Sequence, residues 1–304
     1  MSLPSLRGFL ENNGQDIRLI YANGRCWSSL KRDAGRVHYV DNAVTKCLVK
    51  NLGNLLHYNT TSFLHFVEDF LLGGQGYRKP ERQGYATMLY YALYGVPLRK
   101  LPFSCDSLYE ALEQVHRKEY ACFKEEMLEV VDYLLNRLEI TTAPLGEDVL
   151  PGVELYGCYT RSDIFSLVGK QTVHQTMQGQ VAGVFELKDD VKATLLFVTL
   201  NKSDKDFSPS TQYDDYIINK DYFHWQSQNS DRHNNRGGKV YTLQPQNRNK
   251  IILFVREEKR DGFGNTLPFH CFGLVDYVSS HGDSPMNITW KLREPVMAKY
   301  LKVV

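Results

Sequence analysis

Residues 251–256 have the sequence Ile-Ile-Leu-Phe-Val-Arg, and residues 195–200 have the sequence Leu-Leu-Phe-Val-Thr-Leu. Such short runs of β-branched and aromatic residues are typical of buried strands. Three further runs are predicted as strands on the same grounds: Lys239–Leu243, Phe269–Val278 and Asn287–Leu292. Because no helical pattern alternates regularly with these runs, the sequence predicts an antiparallel β-barrel or a strongly curled sheet.

The N-terminal half shows a different pattern, in which apolar residues recur at three- and four-residue spacing, as Phe63, Phe66, Val67 and Phe70 do. This spacing predicts amphipathic helices. Residues 85–94 are apolar on nearly every side, so we expect this helix at the centre of the N-terminal half.

A helix start and a run of turn residues suggest how the chain is divided. Asp106 or Ser107 is a suitable N-cap for the helix that follows. The last helical pattern gives way to a segment containing Thr, Pro and Gly, which is typical of a linker. The sequence therefore predicts an α+β protein, with an all-α connector domain at 1–142, a linker at 143–152 and a β-barrel domain at 153–304.

The composition excludes several classes of protein. The chain has 304 residues, of which 42% are hydrophobic, and its 36 Lys and Arg residues balance 35 Asp and Glu residues. Bulk charge therefore cannot bind nucleic acid, although a local basic groove can. No apolar run approaches the roughly 18 residues that cross a bilayer, and a signal peptide is missing, so we expect a cytoplasmic protein. The six scattered cysteines contain no CxxC pair, which predicts reduced thiols, no metal site and no cofactor.

A long polar connection at 201–238 carries an unusual density of aromatic residues. Stacking a base on one ring is worth about 1–3 kcal/mol, and extruding a base from a duplex costs a few kcal/mol. Two rings with hydrogen bonds to the base edge could therefore offset extrusion. The alternative is an aromatic corner that packs the barrel, and spacing alone leaves both open. The candidate base pocket comprises Tyr213, Asp214, Asp215, Tyr216, Phe223, His224, Trp225, Gln226, Ser227 and Gln228.

Several motifs occur in a recognisable order, and Phe223–Gln228 (FHWQSQ) is the most specific of them. The others are at 161–164, 198–202, 213–216, 253–256, 272–277 and 285–292. With these motifs, residues from about 154 to 301 resemble the DUF3427 family, a C-terminal domain that follows superfamily 2 helicase cores in bacteria. The helical half resembles the connector of such proteins, with Gly24–Leu30 as its best match.

The resemblance implies a fold, a ligand and partners. Some members resemble type IV restriction enzymes, in which this domain is SRA-like, is related to PUA, EVE and YTH barrels, and recognises modified cytosine in DNA. Helicase and nuclease domains of a longer parent chain would then be the partners. This chain lacks GxxxxGK[ST], so we expect no helicase motor in it, and we expect no phospholipase-D-type nuclease in it either. We expect an excised C-terminal half rather than a stand-alone protein.

The same resemblance suggests roles for individual residues. Tyr213 with Asp214 or Asp215 fits the SRA pattern of a stacking ring and an acceptor for the cytosine amine. Tyr213 and Trp225, or Tyr216 or Phe223, would sandwich the extruded base, while the Gln-Ser-Gln run at 226–228 would complete edge contacts or hold the pocket wall. The residues expected to contact phosphates are Arg161, Lys202, Arg232, Arg236 and Lys239.

Two other functions compete with DNA recognition. Asp163 with Glu186 and Lys188 imitates the acid–ExK set of a Mg²⁺-dependent PD-(D/E)xK-like nuclease. A structural module that docks onto a helicase core would instead use its aromatic residues for packing or for an interface. His270 and Cys271 are neighbours on a strand and face opposite sides, so they cannot pair. No set of nucleophile, base and orienting group emerges, and we expect no catalysis from this chain.

Overall fold

The computed structural model describes residues 5–146, 149–177, 183–188, 192–202, 213–262 and 264–301. It divides into two compact units. The first, called the helical unit, comprises residues 1–142 and 161–178. The second, called the sheet unit, comprises residues 143–160 and 179–304. The chain therefore leaves the helical unit at 142, returns to it at 161 and leaves it again at 178, whereas the sequence suggested a single passage.

The helical unit is built from short and medium-length helices. They are α1 (Leu6–Asn13), α2 (Ile17–Ile20), α3 (Trp27–Asp33), α4 (Ala43–Asn51), α5 (Thr61–Leu71), α6 (Gln83–Tyr94), α7 (Leu108–Glu113), α8 (Ala121–Leu135) and α9 (Arg161–Leu167). Short 3-10 turns lie at Ala22–Gly24, Leu52–His57, Gly76–Arg78, Pro80–Arg82, Leu98–Lys100, Gln114–His116 and Lys118–Tyr120. In the part of the chain described, no helix has both the length and the apolar character needed to span a bilayer.

Packing around α6 confirms that the apolar 85–94 segment lies at the centre of this unit. Every residue from Tyr85 to Tyr94 is buried. The Ser107 side chain accepts a hydrogen bond from the Glu110 N–H, so the predicted cap is present at the start of α7. Helix α9 packs on α6 with Ile164 fully buried, which explains why the segment beginning at 161 belongs to this unit.

The sheet unit contains ten strands in the described residues. They are β1 (Ala143–Pro144), β2 (Glu154–Leu155), β3 (Cys158–Tyr159), β4 (Val184–Leu187), β5 (Ala193–Thr199), β6 (Tyr216–Asn219), β7 (Tyr222–Gln226), β8 (Lys250–Arg256), β9 (Phe269–His281) and β10 (Asn287–Leu292). Its helices are α10 (Arg236–Thr242), α11 (Gln244–Asn247) and α12 (Ala298–Leu301). Strands β1 and β2 pair separately, and the main sheet runs in the order β4-β5-β8-β9-β10-β7-β6, with β3 added beside β9.

The main sheet is rich in antiparallel pairs but is open. Strands β5 and β8 pair in parallel, with Leu195 opposite Ile252, and the other neighbours are antiparallel. Among the described strands, β4 and β6 are the two edges and do not pair with each other. The predicted α+β class is therefore confirmed, whereas the predicted closure into a barrel is not.

One predicted strand is a helix. The Val and Tyr of Lys239–Leu243 favour a strand, but α10 covers 236–242. Its N-cap is Asn235, whose side chain accepts a hydrogen bond from the Gly238 N–H at 3.0 Å. The cap and the burial of Tyr241 outweigh the β-propensity of two residues, since that propensity depends strongly on context.

Candidate nucleic-acid interface

Strand β7 divides the predicted aromatic cluster between the two faces of the sheet. Phe223 and Trp225 point to one side, called the inner face, and both are buried. The Trp225 ring lies 5.1 Å from that of Tyr241 and 6.3 Å from that of Trp290, measured between ring centroids. These rings pack the core of the unit, so Phe223 and Trp225, two of the rings predicted to sandwich a base, are not accessible to one in this structure.

The opposite side, called the outer face, carries a stacked pair of rings. Tyr216 on β6 lies directly opposite His224 on β7, and their ring centroids are 4.4 Å apart with 12° between the planes. The His224 Nδ1 lies 2.8 Å from the Asp214 carbonyl oxygen, which can only accept, so Nδ1 carries the proton. His224 is buried, whereas 44% of Tyr216 is exposed. We call this pair of Tyr216 and His224 the Tyr216 platform, because His224 is held in place and the Tyr216 ring is accessible.

Polar side chains hold the backbone beside this platform. The Gln226 Oε1 accepts from the Asp214 N–H at 2.8 Å, and its Nε2 donates to the Asn287 Oδ1 at 3.0 Å. The Ser227 hydroxyl accepts from the Met286 N–H and donates to the Gln228 carbonyl oxygen. These contacts link the end of β7 to Asp214 and to the start of β10.

The side chain of Asp214, two residues before Tyr216, is exposed. Its carboxylate enters none of the hydrogen bonds found among the described residues. Gln226 binds the Asp214 backbone N–H, and His224 binds its carbonyl oxygen. A carboxylate of this kind accepts hydrogen bonds from an exocyclic amine such as that of cytosine. The Asp214 carboxylate is therefore accessible from solvent.

Asp215 and Lys202 form a buried ion pair. The Lys202 Nζ lies 2.7 Å from the Asp215 Oδ2 and 2.6 Å from the Tyr213 carbonyl oxygen. The two side chains are 8% and 3% exposed, and the other Asp215 oxygen accepts from the Gln226 N–H at 2.9 Å. Burial raises the pKa of the Asp215 carboxyl, and the charge of Lys202 opposes this shift. Lys202 therefore holds the 213–215 segment in place instead of presenting its charge to a phosphate.

The other predicted phosphate contacts do not gather around Tyr216. Arg161 begins α9 in the helical unit, where burial lowers the pKa of its guanidinium. Arg232, Arg236 and Lys239 are exposed in and before α10. Because Tyr241 of α10 contacts Trp225 on the inner face, this basic segment and the Tyr216 platform belong to opposite faces of the sheet.

Two lysines that the sequence analysis did not identify lie in the turn between β6 and β7 and on the neighbouring strand β10. Lys291 is exposed on β10 opposite Tyr222, on the outer face, and Lys220 is exposed in the turn between β6 and β7. Period-two alternation in β10, which buries Ile288 and Trp290, points Asn287, Thr289 and Lys291 outward. That alternation was available from the sequence and could have identified Lys291.

Two residues of the predicted nuclease set, Asp163 and Glu186, have partners outside the set, and the Lys188 Nζ lies 3.8 Å from the Glu186 Oε2. The Asp163 carboxylate, in the helical unit, lies 2.9 Å from the His57 Nε2 and accepts from the Tyr58 hydroxyl at 2.9 Å. Glu186 of the sheet unit pairs with Arg236 at 2.9 Å. Among the residues that the structure describes, no group of three His, Cys, Asp or Glu side chains is arranged to hold a metal ion.

Comparisons with known proteins find similarity to solved structures and to one domain family. Among curated proteins, no relative matches this chain. The chain is similar to SUVH6 of Arabidopsis thaliana, crystallised in complex with SAM, with 14% identity and a TM-score of 0.34. The similarity covers 80% of this chain and 42% of the SUVH6 chain, so the chain spans less than half the length of that protein. Residues 153–303, which contain most of the sheet unit, match the family model described as a domain of unknown function, DUF3427, the family that the motifs predicted.

Proposed function

We propose that the sheet unit binds DNA and accepts an extruded, modified cytosine on the exposed ring of Tyr216. The observation that carries the proposal is the Tyr216–His224 stack beside the uncommitted carboxylate of Asp214. Tyr216 would stack on the base and Asp214 would accept from its amine. The sheet unit would recognise the base in the way that SRA domains do. It would serve as the targeting part of a helicase–nuclease protein.

The stacking energy of one ring favours a base whose extrusion costs little free energy. One ring contributes about 1–3 kcal/mol, whereas extrusion from a paired duplex costs a few kcal/mol. The Tyr216 platform offers one accessible ring, because Trp225 belongs to the core. A mismatched or single-stranded modified cytosine is therefore expected to bind more tightly than the same base in a fully paired duplex.

Phosphate contacts would supply the remaining affinity. Lys220 is exposed in the β6–β7 turn and Lys291 is exposed on β10, and Lys220 contacts Asp221 in a solvent-exposed pair of the kind that contributes little. A phosphate could therefore replace Asp221 at small cost. Each lysine that contacts a phosphate should add about one unit to the slope of log affinity against log salt concentration.

Replacing Tyr216 with alanine should weaken binding of DNA that contains 5-methylcytosine by about tenfold, because a stacking contribution of about 1–3 kcal/mol is lost. Fluorescence anisotropy with labelled single-stranded, mismatched and paired oligonucleotides, each with and without the methyl group, measures this change. Thermal unfolding of Tyr216→Ala should stay close to that of the parent, since the ring is half-exposed.

Tyr216→Phe is the matched control, because it keeps the stacking ring and removes the hydroxyl. It should bind like the parent chain. Equal affinity of Tyr216→Ala and the parent for every oligonucleotide would refute the proposal. Absence of DNA binding by the parent chain itself would favour the docking module instead, and Mg²⁺-dependent nicking that disappears in Glu186→Ala would favour the nuclease.

A further inference from the structure

Three side chains meet where β9 ends, although they are far apart in the sequence. The Ser280 Oγ lies 2.7 Å from the His233 Nε2, and the His233 Nδ1 lies 2.9 Å from the Asp283 Oδ1. A hydroxyl, an imidazole and a carboxylate in this order and at these distances form the arrangement with which enzymes activate a serine nucleophile. The Tyr216 platform includes none of these three residues.

For a neutral imidazole, the hydrogen bonds permit a single assignment of protons. A carboxylate accepts, so the His233 Nδ1 donates to Asp283 and its Nε2 is left as an acceptor. The Ser280 hydroxyl must then donate to Nε2, and the Tyr277 hydroxyl, 2.7 Å from the Ser280 Oγ, donates to that oxygen. This is the protonation state in which an imidazole can remove the serine proton.

The backbone holds this arrangement in place. The His233 N–H donates to the same Asp283 oxygen at 2.9 Å, and this bond, together with that from the His233 ring, lowers the pKa of the Asp283 carboxyl. The Ser284 N–H donates to the Asp231 carbonyl oxygen at 3.3 Å, which ties the segment before α10 to the turn between β9 and β10. Asp283 therefore stays ionised, and its partner is presented at a fixed position.

We propose that Ser280, His233 and Asp283 form a catalytic triad that hydrolyses carboxylic esters of short acyl chains. The Ser280 Oγ attacks the ester carbonyl carbon while its proton passes to the His233 Nε2. That proton then protonates the departing alcohol as the ester C–O bond breaks, which leaves an acyl group on Ser280. Water attacks this acyl group, gives a proton to Nε2 and releases the carboxylic acid as Ser280 recovers its proton. The sum is ester plus water giving acid plus alcohol.

The exposure of the triad indicates the class of substrate. The side chains of His233 and Asp283 are 41% and 51% exposed, so an ester reaches them directly from solvent. An open site provides little apolar surface for a long acyl chain or a bulky alcohol. Small esters with a good leaving group are therefore the expected substrates, with a high KM.

The test measures hydrolysis of 4-nitrophenyl acetate by the full chain. Ser280→Ala should lower kcat/KM by about 10²–10⁴-fold, whereas Ser279→Ala, its exposed neighbour on the same strand, should not change it. Asp283→Asn should lower kcat and leave KM unchanged, because an amide in place of Asp283 stabilises the wrong imidazole tautomer. Mass spectrometry after labelling with a fluorophosphonate should find the adduct on Ser280.

Equal rates for Ser280→Ala and Ser279→Ala, or an adduct on another residue, would overturn the proposal. Circular dichroism of Ser280→Ala should match that of the parent, since the change removes one oxygen from a partly exposed side chain. DNA binding of Ser280→Ala should also equal that of the parent, so that a failure of the triad and a failure of the Tyr216 platform can be told apart.

Discussion

Replacing Trp290 with alanine should lower the free energy of unfolding of the sheet unit by about 3–5 kcal/mol, the usual cost of removing a large aromatic side chain from a core. Trp290 is fully buried on the inner face. Its ring centroid lies 6.1 Å from that of Tyr277 and 6.3 Å from those of Tyr241 and Trp225. The ring therefore joins β7, β9 and α10 at one point, and chemical denaturation followed by circular dichroism measures the loss.

Trp290→Phe is the matched control for this change. The Trp290 Nε1–H is buried and finds no hydrogen-bond partner among the described residues, so phenylalanine removes an unsatisfied donor along with part of the ring. We expect Trp290→Phe to lose less than half of what Trp290→Ala loses. A loss below about 1 kcal/mol for Trp290→Ala would show that the ring does not hold the core together.

Replacing Lys202 with methionine should destabilise the sheet unit by about 3–5 kcal/mol at neutral pH, since it leaves the Asp215 carboxylate buried without its partner. Burial already raises the pKa of the Asp215 carboxyl in the presence of Lys202, and loss of the lysine removes the charge that opposes this shift. A raised pKa in the folded state means that stability falls as the pH rises through that pKa. The variant should therefore regain stability on acidification, measured as the denaturation midpoint against pH.

The double variant Lys202→Met, Asp215→Leu separates the charge from the packing. Replacing both partners of a buried pair with apolar residues is often nearly neutral. The double variant should therefore be more stable at neutral pH than Lys202→Met alone, and it should lack the recovery on acidification. A single variant as stable as the parent at neutral pH would mean that the pair is solvated and that the 213–215 segment is held by other contacts.

The elements of the fold that depend on local pattern were predictable. The Ser107 cap and the fully apolar α6 are both present as the sequence indicated. The strands predicted at 251–256 and 269–278 are present and longer than predicted, and the strand at 287–292 has the predicted bounds. Such elements follow from caps and periodicity within about ten neighbouring residues.

The pairing of the strands was not predictable, because it depends on contacts between distant segments. Strands β5 and β8 are parallel, and the chain between them contributes β6, β7 and α10 before it returns. No local pattern distinguishes this connection from a series of hairpins. The wrong prediction of a strand at Lys239–Leu243 has the same origin, since the Asn235 cap and the burial of Tyr241 stabilise a helix there.

The candidate site was predictable in part. The cluster at 213–228 was recognised by its composition, and strand alternation alone would have separated Phe223 and Trp225 from His224 and Gln226. The stacking partner of Tyr216, however, depends on the register between β6 and β7. The triad was beyond sequence reasoning, because His233 is 47 residues from Ser280 and meets it only through tertiary structure.

The double passage of the chain between the two units has a consequence during synthesis. Helix α9 belongs to the helical unit but is translated after residues 143–160 of the sheet unit. At roughly 5–20 residues per second, a ribosome delivers the last piece of the helical unit some seconds after α8. Until α9 has been made, the α6 surface on which it packs stays uncovered. A chaperone that binds this surface would protect the nascent helical unit during that interval.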